Sequence, residues 1–112
     1  MLTMGKNLRL VYITTSNKNE ARYIGRILVE EKLAACVNII DGMESIYAWD
    51  GGVEEASETI LIAKTRKESI QKLTDRILKL HSYDCPCVIS LEINEGEGNP
   101  DYLTWLWKEA EH

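Results

Sequence analysis

Between Glu30 and Ile40 the chain runs Glu-Glu-Lys-Leu-Ala-Ala-Cys-Val-Asn-Ile-Ile, a helix passing into a strand with almost no loop. Ile24, Ile27, Leu28 and Glu31 keep helical spacing, while Val37 to Ile40 are residue types that suit a pleated surface. Ala34, Ala35 and Cys36 are small enough for the two backbones to approach closely. A helix of this kind feeding a buried strand restricts the chain to folds in which helices cover a sheet.

The rest of the pattern supplies the order of elements. Leu8 to Thr14 is expected to be a strand apolar on both faces, hence central in a covered sheet. Asn17 opens a helix, with Glu20 as capping-box partner, running to about Leu33. Cys36 to Trp49 reads as one long strand with a bulge at Asp41-Gly42. Asp50-Gly51-Gly52 turns the chain back into a strand from Val53 to Thr65. Thr65 and Glu68 are placed as a capping box for a second helix, with Ile70, Leu73, Ile77 and Leu80 as its buried stripe. His81 to Pro86 is a loop, Cys87 to Ile93 a strand, and Asn99-Pro100 the start of a last helix. The order β-α-β-β-α-β-α predicts an α+β fold over residues 1–112, a single ferredoxin-like βαββαβ sandwich with a C-terminal helix and a long hairpin between its second and third strands.

At 112 residues there is room for one core. A strand from Cys36 to Trp49 would extend about 45 Å at roughly 3.3 Å per residue, against a radius of gyration of about 13 Å for a domain this size. The hairpin must therefore bend sharply or project beyond its own core, and a projecting hairpin carrying Ile46, Tyr47 and Trp49 calls for a neighbour. Trp105 and Trp107, two apart on a helix, point to different sides, so one can serve the core and the other a partner. An oligomer is the expected state.

Charge and cysteine content narrow the function. The net charge of −5 and the absence of Phe argue against a nucleic-acid partner. No apolar run could span a bilayer, and Met1 to Asn7 is too polar and short for a secretory signal. Three cysteines without an export signal suggest reduced thiols and a cytoplasmic location. No Ser-His-Asp or Cys-His spacing marks an activated nucleophile, so the expectation is not an enzyme. Gly51-Gly52 and Gly96-Glu97-Gly98 lack the Lys-Ser/Thr of a phosphate loop and are turns.

Two sets of side chains stand out. His81, Cys85 and Cys87 form a local cluster of ligands suited to copper or zinc, with Cys36 joining if the fold brings it near. Against this, each cysteine also suits a small buried apolar position, and His81 a helix C-terminus. Tyr47, Trp49, Glu58, Lys64 and Tyr83 could line an intersubunit cleft for a small molecule; an interface core with a surface ion pair accounts for them equally well.

Lys32-Leu33-Ala34-Ala35-Cys36-Val37-Asn38-Ile39, then Tyr47-x-Trp49-x-Gly51-x-Val53 with Glu58, Lys64-Thr65, His81-Ser82-Tyr83-Asp84-Cys85-Pro86, and Asn99-x-x-Tyr102-Leu103-x-Trp105 together resemble the CutA family of divalent-cation tolerance proteins. The blocks occur in order over nearly the whole chain. The resemblance implies a tight homotrimer whose long strands join sheets across subunits, with no obligatory cofactor. It also implies copper or another divalent metal as ligand and an architecture similar to PII-type signalling proteins, the basis of a second reading as a small-molecule sensor or scaffold. Ser82 departs from the family's usual Pro and Asp84 from its common Glu. Cys87 replaces a frequent acidic residue, and Ile13-Thr14-Thr15 stands where some relatives carry a cysteine.

Overall fold

The computed structural model describes residues 7–110. Its elements are β1 (Leu8–Thr15), α1 (Lys18–Glu30), β2 (Cys36–Trp49), β3 (Gly52–Arg66), a 3-10 turn (Lys67–Ser69), α2 (Ile70–Leu80), β4 (Val88–Glu92) and α3 (Pro100–Glu109). The four strands form one antiparallel sheet in the order β2-β3-β1-β4. This is the expected α+β arrangement, with β1 central.

Helices α1 and α2 cover one face of the sheet. Val11, Ile13, Leu61 and Ala63 rise from β1 and β3 to meet Ala21, Ile24 and Leu28 of α1 and Leu73 and Ile77 of α2, all fully or almost fully buried. Gly25 permits the approach of α1, since a Cβ there would stand 2.9 Å from Val37 Cγ2 and 3.1 Å from Leu61 Cδ1. A smaller cluster of Leu8, Ala35, Leu106 and Ala110 seats α3. Trp107 packs there and stacks under the Arg66 guanidinium at 3.6 Å, whereas Trp105 stays exposed.

Three local expectations are corrected. Helix α1 stops at Glu30, not near Leu33, because Lys32 turns into the left-handed region at φ 59°. Its N–H bonds Val29 O at 3.1 Å and that of Leu33 bonds Leu28 O at 2.9 Å, a Schellman closure built without glycine. Thr65 caps no helix; its hydroxyl donates to Leu33 O at 2.6 Å and pins that closure to the sheet. Finally, β2 is an edge strand that is largely exposed, not a buried one, since only Val37 and Ile39 turn toward the core.

The bulge is present. Ile40 pairs with Ile60 but Met43 with Glu58, so β2 advances three residues while β3 advances two. Gly42 takes φ 80°, as a bulge residue of this kind requires. At the far end Asp50 and Gly51 both have positive φ, matching the twist of a tight hairpin. The molecule measures 52 × 26 × 23 Å, its long axis reflecting the 14-residue β2 and 15-residue β3. Among the described residues, no helix is long and apolar enough to cross a membrane.

Candidate functional site

The single extra residue in β2 decides what faces the open side of the sheet. Before the bulge, Cys36, Asn38 and Ile40 lie opposite Lys64, Ile62 and Ile60 on that side. A side chain alternates faces with period two, so one added residue exchanges odd for even positions. Beyond it, Met43, Ser45, Tyr47 and Trp49 take the open face, beside Glu58 of β3 and Tyr12 and Thr14 of β1. The loop after α2 closes the other side with Tyr83, Asp84, Cys85 and Cys87. The result is a cleft of about 840 Å³.

Glu58 is the anchored charge of this cleft. Its Oε1 accepts from Ser45 Oγ at 2.6 Å and its Oε2 from Tyr83 Oη at 2.7 Å. Tyr83 is held as the neutral phenol: burial, the hydrogen bond to Glu58 and the nearby carboxylates all raise its pKa. Burial, and then the Glu58 charge, also push up the Cys87 thiol, with a bond to Thr14 offsetting part of the effect. Tyr12 donates to Met43 Sδ at 3.3 Å, and Tyr47 meets Trp49 edge-on with centroids 6.5 Å apart. One wall is thus aromatic and apolar and the other carries two thiols and a carboxylate.

His81 fixes the loop and does not enter the cleft. Its Nδ1 accepts from the Tyr83 N–H at 3.1 Å, which leaves the proton on Nε2 to donate to Thr14 O at 2.8 Å. The ring is fully enclosed and has no lone pair to offer a metal. Behind it, Glu20 accepts from Ser16 N–H and Oγ at 2.9 and 2.8 Å and from Ser82 N–H at 2.7 Å. Burial raises the Glu20 pKa, but these bonds outweigh it and hold the carboxyl at about 2. Asn17 caps α1 as expected, its Oδ1 taking the Glu20 N–H at 2.8 Å, while the Glu20 side chain turns to this network.

The two sets named from the sequence are regrouped by the fold. Tyr47, Trp49, Glu58, Tyr83, Cys85 and Cys87 share the cleft. Lys64 and Cys36 do not: they are cross-strand neighbours at the root of the hairpin, on either side of Tyr102 Oη, at 3.1 Å and 3.6 Å. That hydrogen bond, ahead of the nearby charges, raises the Lys64 pKa. His81, Cys85, Cys87 and Cys36 are therefore not one ligand set, and among the described residues no three His, Cys, Asp or Glu are grouped to hold a metal ion. Met43, Ser45, Tyr12 and Thr14 were missed. Period-two spacing counted backward from Trp49 reaches the first two.

The family profile of the CutA1 divalent ion tolerance protein matches residues 9–109. The chain belongs to the CutA1 family. A divalent-cation tolerance protein CutA of Thermus thermophilus is 46% identical over 97 residues, covering 87% of this chain and 92% of that protein. The chloroplastic CutA of Arabidopsis thaliana is 44% identical over 97 residues, covering 87% of this chain and 52% of its own length. The chain thus spans about half the length of that plant relative. A solved structure of the Thermus thermophilus divalent cation tolerance protein (Cut A1) has a TM-score of 0.87 at 44% identity, covering 91% of this chain and 97% of that one. The hairpin, the bulged edge strand and the cleft are thus features of a chain of the CutA1 family.

Proposed function

We infer that this chain serves divalent-cation tolerance as a cytoplasmic homotrimer that binds copper or another divalent metal and carries out no catalysis. The observation behind this reading is the CutA1 match over residues 9–109, with relatives named for divalent-cation tolerance. The cleft adds chemical support. Cys85 and Cys87 line it and offer sulfur, a donor suited to copper and its neighbours. Cys85 and Cys87 replace the four-residue set as the metal candidates, because His81 has both nitrogens committed and Cys36 lies at the hairpin root.

Assembly is supported by what one subunit leaves bare. Ile46, Trp49 and Val53 are 69%, 63% and 72% exposed on the hairpin, and Ile89 and Leu91 are exposed on β4. Exposed apolar side chains of this kind are what an interface would cover. Three free cysteines suit a reducing compartment.

Native mass spectrometry of the reduced protein during a copper titration tests both parts together. The expected result is a trimer with one saturable copper per subunit, lost in the Cys85→Ser, Cys87→Ser double variant while the trimer persists. A trimer that takes up copper only in a broad, unsaturating distribution, or equally well without the two thiols, would overturn the metal assignment. A monomer would overturn the assembly.

A further inference from the structure

The charge lining the cleft has one sign. Among the described residues its walls carry Glu44, Glu58 and Asp84, and no Lys, Arg or His. Glu58 is the carboxylate whose placement is fixed. Ser45 on β2 and Tyr83 on the loop after α2 each donate to one of its oxygens, at 2.6 and 2.7 Å. Both donors are neutral hydroxyls, so they orient the carboxylate without cancelling its charge. Each oxygen keeps a second acceptor position. Among the described residues no Lys, Arg or His forms an ion pair with Glu58. A half-buried carboxylate that is held in place and uncompensated favours a cation able to hydrogen-bond to it, and disfavours phosphates and carboxylates. The walls decide what kind of cation. Met43 stands opposite Glu58 across the β2–β3 ladder, and Tyr12 Oη donates to its sulfur at 3.3 Å. Tyr47 continues the same face outward. From Met43 to Tyr47 the wall runs roughly 13 Å at about 3.3 Å per residue. A hydrated metal ion gains nothing from such a surface, whereas the apolar body of an organic ion does. The cleft volume of about 840 Å³ lies within the range of small-molecule sites.

We propose that the cleft binds a small organic ammonium ion, independently of any metal. Its N–H groups donate to the free acceptor positions of Glu58, and a flat apolar body lies along Met43, Tyr12 and Tyr47. The carboxylate selects the sign of the charge. The aromatic wall selects an apolar body over a bare cation. Cys85 and Cys87 belong to the opposing loop and take no part in holding the ion, so the two thiols and the carboxylate serve different ligands.

The test is a charge series of one shape. Benzylammonium, benzyl alcohol and benzoate are titrated into the full-length reduced protein at pH 7, in EDTA and at constant ionic strength, and followed by amide shifts in ¹H–¹⁵N spectra. Benzylammonium should give saturable shifts centred on Ser45, Glu58 and Tyr83. Benzyl alcohol should bind about 10- to 100-fold more weakly, the range expected for losing a hydrogen bond to a charged group, and benzoate not at all. Glu58→Gln keeps the shape of the side chain and should bring benzylammonium down to the level of benzyl alcohol, whose own binding stays unchanged. Equal binding of the alcohol or of benzoate, no saturable binding of benzylammonium, or shifts centred elsewhere would overturn the proposal, and none of these readings needs a variant to fold. So would full benzylammonium affinity in a folded Glu58→Gln protein. The Cys85→Ser, Cys87→Ser double variant should bind benzylammonium as before. With EDTA present throughout, these outcomes are separate from success or failure of copper binding.

Discussion

Glu20 joins three segments through one carboxylate. It holds Ser16 at the start of α1 and Ser82 after α2, and its Oε2 stands 3.8 Å from His81 Nδ1. The carboxyl titrates at about 2 in the folded chain against an ordinary 4.5. A depressed folded pKa contributes stability that is fully present above the unfolded value and lost as pH falls toward the folded one, here between about 4.5 and 2. A shift of this size corresponds to on the order of 3 kcal/mol. Glu20→Gln should therefore lower unfolding free energy at pH 7 by about 2–3 kcal/mol. The deficit should shrink as pH falls through that window, as denaturant unfolding at pH 7, 4 and 3 would show. The Asn17–Glu20 pair was legible as a helix start because capping is local. The Ser82 contact, 62 residues away in sequence, was not, since no spacing rule reaches across a fold.

At the scale of elements, the strands and helices were readable from periodicity, and the errors came where a tertiary partner overrode it. Leu33 and Ala34 continue an apolar helical pattern, yet Lys32 leaves the helix because Leu33 and Ala34 gain buried places against the core. Thr65 has the spacing of a cap but finds Leu33 O in the neighbouring layer instead. The bulge at Asp41-Gly42 was visible in the sequence, but its effect on facing was not followed through to Met43 and Ser45. Deleting Gly42 should restore plain alternation and turn Tyr47 and Trp49 to the other side of the hairpin. The expected outcome is a folded protein, by far-ultraviolet circular dichroism, that has lost the Tyr83–Glu58–Ser45 cleft. Tyr47–Tyr83 proximity would be lost in nuclear Overhauser spectra. Unchanged Tyr47 contacts would contradict the parity account.

The whole molecule is a compact sandwich with an arm. That arm was foreseen from strand length against domain size, and the 52 Å axis bears it out. Which partner surface meets it was beyond a single sequence, because complementarity is a property of two surfaces. Replacing Ile46, Trp49 and Val53 by Ser removes exposed apolar groups without touching either core cluster. Such a variant should keep its helix content and thermal unfolding as a subunit while light scattering reports a monomer in place of the assembly. An assembly unaffected by all three changes would place the interface elsewhere. The arm also has a consequence for exchange with solvent. Among the described residues, β2 past the bulge has β3 as its sole ladder partner, and neither strand there contributes to the helix-covered core cluster. In a lone subunit those amides open by local fraying and exchange deuterium fast, whereas a neighbouring subunit would slow them. Exchange rates from Met43 to Val53 therefore become an internal gauge of protein concentration, while those of β1 stay constant on dilution.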